Sequence, residues 1–147
     1  MIRESRDYAF LNHVMNHESC KPDVGLGYKG DLDAKTLLEN PRNHFLATDF
    51  GGFLVVDMGD GTYEVHTQFL PGGRGKAARE AAREAMEHMF LETDCMKLVT
   101  FCPNENRKAI NLALYAGMKK GSAHTELGVS GHIYSITVKE WLLCQQQ

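Results

Sequence analysis

The chain has 147 residues, 43% apolar and 24% charged, enough for one buried core and too few for two, so a single domain spanning 1–147 is expected. Its 16 basic and 19 acidic residues leave a net charge of −3, which provides no broad positive field for nucleic acid or an acidic membrane, and neither is expected as a partner. No apolar run reaches the roughly 20 residues of a membrane span, and Met1–Ser5 lacks the apolar stretch of a secretion signal, so a cytoplasmic location is expected.

Tyr8, Leu11, Val14 and Met15 recur at helical intervals and predict an amphipathic helix over 6–17. Lys21–Gly30, with one proline and three glycines, reads as a loop. Asp31 is placed to cap a short helix through Asn40, with Leu32, Leu37 and Leu38 turned inward and Pro41 ending it. From His44 the pattern changes to strands: 44–50, a Gly51-Gly52 break, 53–59, then the hairpin pair Asp60-Gly61 and a third strand over 62–70. A helix over about 74–92 follows, burying Ala78, Ala81, Ala82, Ala85, Met86, Met89 and Phe90. A compact strand, 96–102, leads through Pro103 to a helix from Glu105 to Ala116, ended by Gly117. Two closing strands are predicted near 118–126 and 132–142, around the turn formers 127–131.

Cys20, Cys95, Cys102 and Cys144 form no C-x-x-C pair, so neither a zinc ribbon nor a redox motif is indicated. His13 and His17 share an i, i+4 relation, but no carboxylate is spaced between them as a zincin requires, and no metal is expected.

The junction at 69–79 carries the chemistry. Gly72, Gly73 and Gly75 let backbone pass close to a ligand, the helix start behind them offers unpaired N–H groups to a phosphate, and Arg74 and Lys76 add charge. An ordinary strand-to-helix turn with two solvated basic side chains accounts for the same residues. A Walker loop does not: Leu70 stands at its first glycine and Ala77 follows Lys76 where Ser or Thr is needed. A dinucleotide fingerprint can be drawn through Gly73, Gly75 and Ala78, but hairpins precede it and the chain is short for a doubly wound sheet.

Pro71-Gly72-Gly73-Arg74-Gly75-Lys76-Ala77, followed at the right distance by Asn106-Arg107-Lys108-Ala109 through Gly117-Met118, resembles the two coenzyme motifs of the GNAT superfamily of N-acetyltransferases. The resemblance implies an α/β (α+β) fold with a mixed, mostly antiparallel sheet. That sheet would be splayed between its fourth and fifth strands and flanked by about four helices. It implies acetyl-coenzyme A as co-substrate, with the pantetheine arm along Gln68, Phe69 and Leu70, the pyrophosphate at Arg74, Gly75, Lys76, Ala77 and Ala78, and Asn106 on the coenzyme arm or capping its helix. Arg79 stands where the family has a small residue, and it becomes a candidate phosphate contact. Met118 replaces an aromatic, and Ala113 occupies the position of the usual acid tyrosine.

The implied activity is acetyl transfer to a primary amine of a protein, peptide or small molecule, with a protein or peptide acceptor slightly favoured. The alternative is a catalytically weak relative serving as a coenzyme- or protein-binding module. On strand alternation Glu64, His66 and Gln68 share a face, so Glu64 and His66 are the candidate bases; a polar cross-strand pair on a wet face is the other reading. Tyr115 is the candidate acid, although it lies roughly 200° around the helix from the family's position. A backbone N–H at Phe69 or Leu70 would stabilise the oxyanion. The brevity of the chain is similar to that of acetyltransferase-like proteins of bacteriophages, which implies a host cytoplasm. Its C-terminal edge strands make a homodimer conceivable.

Overall fold

The computed structural model describes residues 1–26 and 30–146. In chain order it contains β1 (Arg3–Ser5), α1 (Tyr8–Asn16), α2 (Lys21–Val24), α3 (Lys35–Glu39), β2 (His44–Thr48), β3 (Gly51–Gly59) and β4 (Thr62–Phe69). A 3-10 turn (Pro71–Gly73) leads to α4 (Lys76–Glu92), β5 (Lys97–Pro103), α5 (Arg107–Tyr115), β6 (Lys119–Glu126), β7 (Val129–Thr137) and α6 (Val138–Gln145).

Asp60 and Gly61, at φ 55° and 78°, form the turn with two positive-φ residues whose twist suits a tight hairpin, and they join β3 to β4. The seven strands run in the order β1-β2-β3-β4-β5-β7-β6. Neighbours are antiparallel except β4 and β5, which pair in parallel only from Thr62↔Lys97 to Glu64↔Val99. Beyond that point β5 continues against β7 as far as Pro103↔Gly131, while β4 continues against β3 as far as Phe69↔Gly51. The sheet therefore splits into two wings between its fourth and fifth strands, as expected.

Each face of the sheet has its own core. On one, Ala78, Ala81, Ala82 and Ala85 bring α4 close to the strands, with Met86, Met89, Phe90, Tyr63, Leu98 and Trp141 filling in. On the other, Leu11, Met15, Ala34 and Leu38 cover Phe45, Ala47 and Leu54. The inward face predicted for the helix now seen as α4 is the buried one.

Four boundaries differ from expectation. Asp7 caps α1 by accepting from the Phe10 N–H, which starts the helix later than predicted, and Tyr8 is exposed. Ala34, not Asp31, is the N-cap of α3, and Leu37 faces solvent. Gly51 and Gly52 belong to β3, with Asp49-Phe50 making the turn; a Cβ on either glycine would sit 2.2 or 2.1 Å from a carbonyl oxygen of the flanking strand, so only glycine admits this approach. Residues 138–142 are helical: Thr137 and Glu140 form a reciprocal capping box that turns the chain out of β7 and lays Trp141 against Phe90, ring centroids 5.5 Å apart. With the short α2 inside the predicted 21–30 loop, this makes six α-helices among the described residues where about four were expected. The remainder of that loop, 27–29, lies outside the described residues.

Candidate active site

Where β4 and β5 part, the backbone of β4 is left facing a cleft. Leu70 N–H bonds to the Phe50 carbonyl at 2.8 Å, so in the alternating antiparallel ladder even-numbered residues of β4 point their main-chain groups at β3. Val65, Thr67 and Phe69 point the other way. Two bonds show it: Thr100 Oγ1 donates to the Val65 carbonyl at 2.9 Å, and Arg74 Nε donates to the Phe69 carbonyl at 3.0 Å. The main-chain groups offered to the cleft are thus those of Thr67 and the N–H of Phe69. This corrects the expectation that Gln68 and Leu70 present backbone to a ligand, because Leu70 N–H is engaged by Phe50. It also leaves the N–H of Phe69, rather than that of Leu70, turned toward the cleft. Thr67 was missed, and strand parity anchored on one hairpin turn is the signal that could have found it.

The cleft has two connected parts. One, of about 510 Å³, runs between the end of β4 and the start of α4, lined by Thr67, Phe69, Gly75, Ala78, Arg79, Asn106 and Lys108. The other, of about 180 Å³, reaches between the wings and is mostly apolar, with Val65, Met86, Leu98, Cys102 and Ala113 in its wall. Thr67, Asn106, Ala109 and Leu112 border both.

At the mouth of the larger part, Gly75 is the N-cap of α4 at φ 72°, ψ −130°, and no side chain caps the helix. A residue with a Cβ pays about 1–3 kcal/mol in such a conformation, which is the reason for glycine here. The first intrahelical bond at this end is Arg79 N–H to the Gly75 carbonyl, so the amides of Lys76, Ala77 and Ala78 have no helical acceptor, and they sit at the positive end of the helix dipole. This is a nest for a polyanion.

The basic side chains divide differently from expectation. Arg74 does not reach into the cleft as a loose charge: besides the Phe69 carbonyl it donates to the Ser19 carbonyl at 2.8 Å, with Cys20 Sγ at 3.7 Å, and so ties the turn to the segment between α1 and α2. Lys76 is exposed and paired with Glu80 at 3.9 Å. Arg79, predicted, and Lys108, not predicted, line the cleft together with the tethered Arg74. Asn106 Oδ1 accepts from Ala109 N–H at 3.1 Å and caps α5 while its residue borders both cavities.

Glu64 and His66 project from one face of β4, as alternation predicts, and their Oε1 and Nε2 lie 2.7 Å apart. The hydrogen bond from His66 holds the Glu64 carboxyl below its usual range against the opposing effect of partial burial, and the imidazole charge adds to this. When Nε2–H donates to Glu64, a neutral His66 keeps its lone pair on Nδ1, where it can accept a proton. His66 borders the apolar cavity together with Asp23, Leu26, Phe101 and Glu126. Gln68, on the same face, is only 2% exposed, and neither its Nε2 nor its Oε1 has a hydrogen-bond partner among the described residues. A buried carboxamide left unpaired costs on the order of 1–3 kcal/mol, so this position suits a polar ligand group.

Tyr115 is not brought to the cleft. It is 47% exposed, its hydroxyl accepts from Arg83 at 2.6 Å, and the guanidinium groups of Arg79 and Arg83 lie 5.6 and 5.8 Å from its ring centroid. The turn of α5 that faces the cavity presents Ala113, so the catalytic acid expected at Tyr115 is withdrawn on geometric grounds.

No protein-family model matches the sequence, and no curated protein matches it. The fold, by contrast, has many solved counterparts. Spermidine N-acetyltransferase from Vibrio cholerae, solved with coenzyme A and spermine, superposes with a TM-score of 0.78 at 14% identity, covering 97% of each chain. A GNAT-family acetyltransferase from Bacillus anthracis gives 0.72 at 17% identity, covering 94% of each. An aminoglycoside acetyltransferase, AAC(6')-Ib, solved with coenzyme A and kanamycin, gives 0.75 at 15% identity, covering 99% of this chain and 98% of its own. At these identities the likeness establishes the fold, which is that of the GNAT acetyltransferases.

Proposed function

We propose that the chain is an acetyl-coenzyme A-dependent N-acetyltransferase acting on a primary amine. The observation that carries the reading is the split between β4 and β5, which opens the Thr67 and Phe69 backbone to a cleft that ends at the uncapped start of α4. A pantetheine arm is an extended chain with amide groups, and it would complete the missing ladder beside β4 as a strand does. The coenzyme diphosphate would then meet the amides of Lys76, Ala77 and Ala78, with Arg79 and Lys108 adding charge at the rim. Use of this fold with coenzyme A by the spermidine and aminoglycoside enzymes supports the same assignment.

In the reaction the amine nitrogen attacks the thioester carbonyl carbon, and Phe69 N–H is the donor closest in kind to what the oxyanion needs. His66, oriented by Glu64, takes the proton that the amine loses as the new C–N bond forms. The C–S bond then breaks and the thiolate is protonated by solvent, since a thiol pKa near 8.5 makes a dedicated acid helpful without being obligatory.

The acceptor reading shifts with the structure. Lys21–Gly30 contributes Asp23 alone as an acid, but β6 adds Glu126 to the same cavity wall, and Glu64 lies behind His66. Three carboxylates around the amine side favour a small cationic amine over a peptide. A coenzyme-binding module without transfer activity is the second reading, and Ala113 at the acid position favours it.

Isothermal titration with acetyl-coenzyme A tests the reading. Saturable binding is expected, weakened about tenfold by Arg79→Ala combined with Lys108→Ala, which corresponds to about 1.4 kcal/mol. Absence of binding at millimolar ligand would overturn it. Assay against a panel of polyamines, aminoglycosides and peptide amines then separates transferase from binding module, because the module should release no thiol above background.

A further inference from the structure

At the end of α4 remote from the cleft mouth, three potential metal ligands converge from segments distant in sequence. Glu4 lies on β1, His44 on β2 and His88 on α4. Glu4 Oε1 is 2.5 Å from His44 Nδ1 and 3.1 Å from His88 Nε2, and all three donor atoms lie within 4.8 Å of one another. Such a cluster is a self-sufficient hydrogen-bond network when both rings are neutral. It is also the donor set of a two-histidine, one-carboxylate cation site.

We propose that Glu4, His44 and His88 bind a divalent cation of the zinc class and thereby staple the N-terminal edge strand to α4. Tetrahedral coordination at 2.0–2.2 Å places ligand atoms about 3.3 Å apart, so the two Glu4 contacts need to lengthen by less than about 1 Å, and the two imidazole nitrogens, within 4.8 Å of each other, need to close by at most about 1.5 Å, to admit the ion. Side-chain exposures of 37%, 14% and 27% for Glu4, His44 and His88 leave a path for entry and a fourth position for water. Two imidazole nitrogens select zinc, nickel or copper over magnesium or calcium, which require oxygen. The staple has a mechanical purpose. β1 has three residues and one sheet neighbour, β2, and the N-terminal segment meets α4 otherwise through Ile2, which packs against the core, and through the ion pair of the Met1 amino group with Glu84 at 3.6 Å. His88 follows Lys76 by about 18 Å along the helix axis, so the ion would not touch a coenzyme at the other end of α4.

The experiment is calorimetric titration of metal-stripped protein with zinc chloride, repeated with magnesium chloride. One equivalent of zinc is expected to bind and to raise the melting temperature, with no response to magnesium. His88→Ala and Glu4→Ala should each lower zinc affinity by more than the roughly 10–100-fold that loss of a merely supporting partner costs. His13→Ala, which breaks the i, i+4 histidine pair, and Cys144→Ser, which removes the exposed thiol, should leave it unchanged. His44→Gln serves where removal of the half-buried ring perturbs folding, judged by retained far-ultraviolet circular dichroism. The proposal is overturned if zinc fails to saturate near one equivalent, if magnesium binds equally well, or if His88→Ala and Glu4→Ala bind as tightly as the parent.

Discussion

Residue by residue, the site separates groups that could do chemistry from groups that only hold the architecture. Arg74 is the most conspicuous charge of the glycine corner, yet its guanidinium is held by the Phe69 and Ser19 carbonyls. His66 lies against Glu64 and borders the cavity, whereas the Tyr115 hydroxyl is held by Arg83 on the surface. The two therefore make opposite predictions. His66→Ala should lower kcat by about 10²–10⁴, the usual contribution of a positioned base, while leaving acetyl-coenzyme A affinity unchanged by titration. Tyr115→Phe should leave kcat within about twofold, and a loss like that of His66→Ala would restore Tyr115 as the acid. The pair at 64 and 66 was legible because strand alternation assigns a face without knowing the fold. The unpaired carboxamide of Gln68 was not legible, because satisfaction of a buried group depends on every neighbour that arrives from elsewhere.

At the scale of elements, α4 and α6 show how local signals succeed and fail. Alanines on one stripe of α4 gave its buried face directly, and the Gly75 corner gave its start to within two residues. Ile133, Ile136, Thr137 and Val138 favour the pleated state, which agrees with a strand expected over 132–142. The T-x-x-E spacing of Thr137 and Glu140 carries the opposite instruction, and the capping box prevails in a helix that buries Trp141 against Phe90. Thr137→Ala should therefore cost about 1 kcal/mol of unfolding free energy, measured by urea denaturation, whereas Thr137→Asp, which keeps a cap acceptor, should cost much less. Equal losses for both would mean that the hydroxyl matters for some reason other than capping.

For the whole molecule, the connection between α6 and β6 gives acid stability a definite shape. Lys119 Nζ lies 2.8 Å from Glu140, and this partner, with the Thr137 N–H, pushes the Glu140 pKa down to about 2 from its ordinary 4.5. A lowered folded pKa stabilises the native state above the ordinary value, and the contribution disappears as the pH falls from about 4.5 toward 2. Stability profiles of the parent and Glu140→Gln should thus differ most above pH 4.5 and converge near pH 2. Parallel profiles through that window would show that the pair contributes nothing. No helix among the described residues is long and apolar enough to cross a membrane.

By itself the sequence determined the strands of the central meander, the buried stripe of α4 and the glycine corner. Each of these depends on periodicity or on a backbone conformation that a few consecutive residues impose. Only the tertiary structure decided that Arg74 serves as a clasp and that Glu126 joins His66 from the opposite wing. It also decided that Glu4, His44 and His88 meet. These are meetings between segments tens of residues apart, and their geometry follows from strand order and register, which no local pattern encodes.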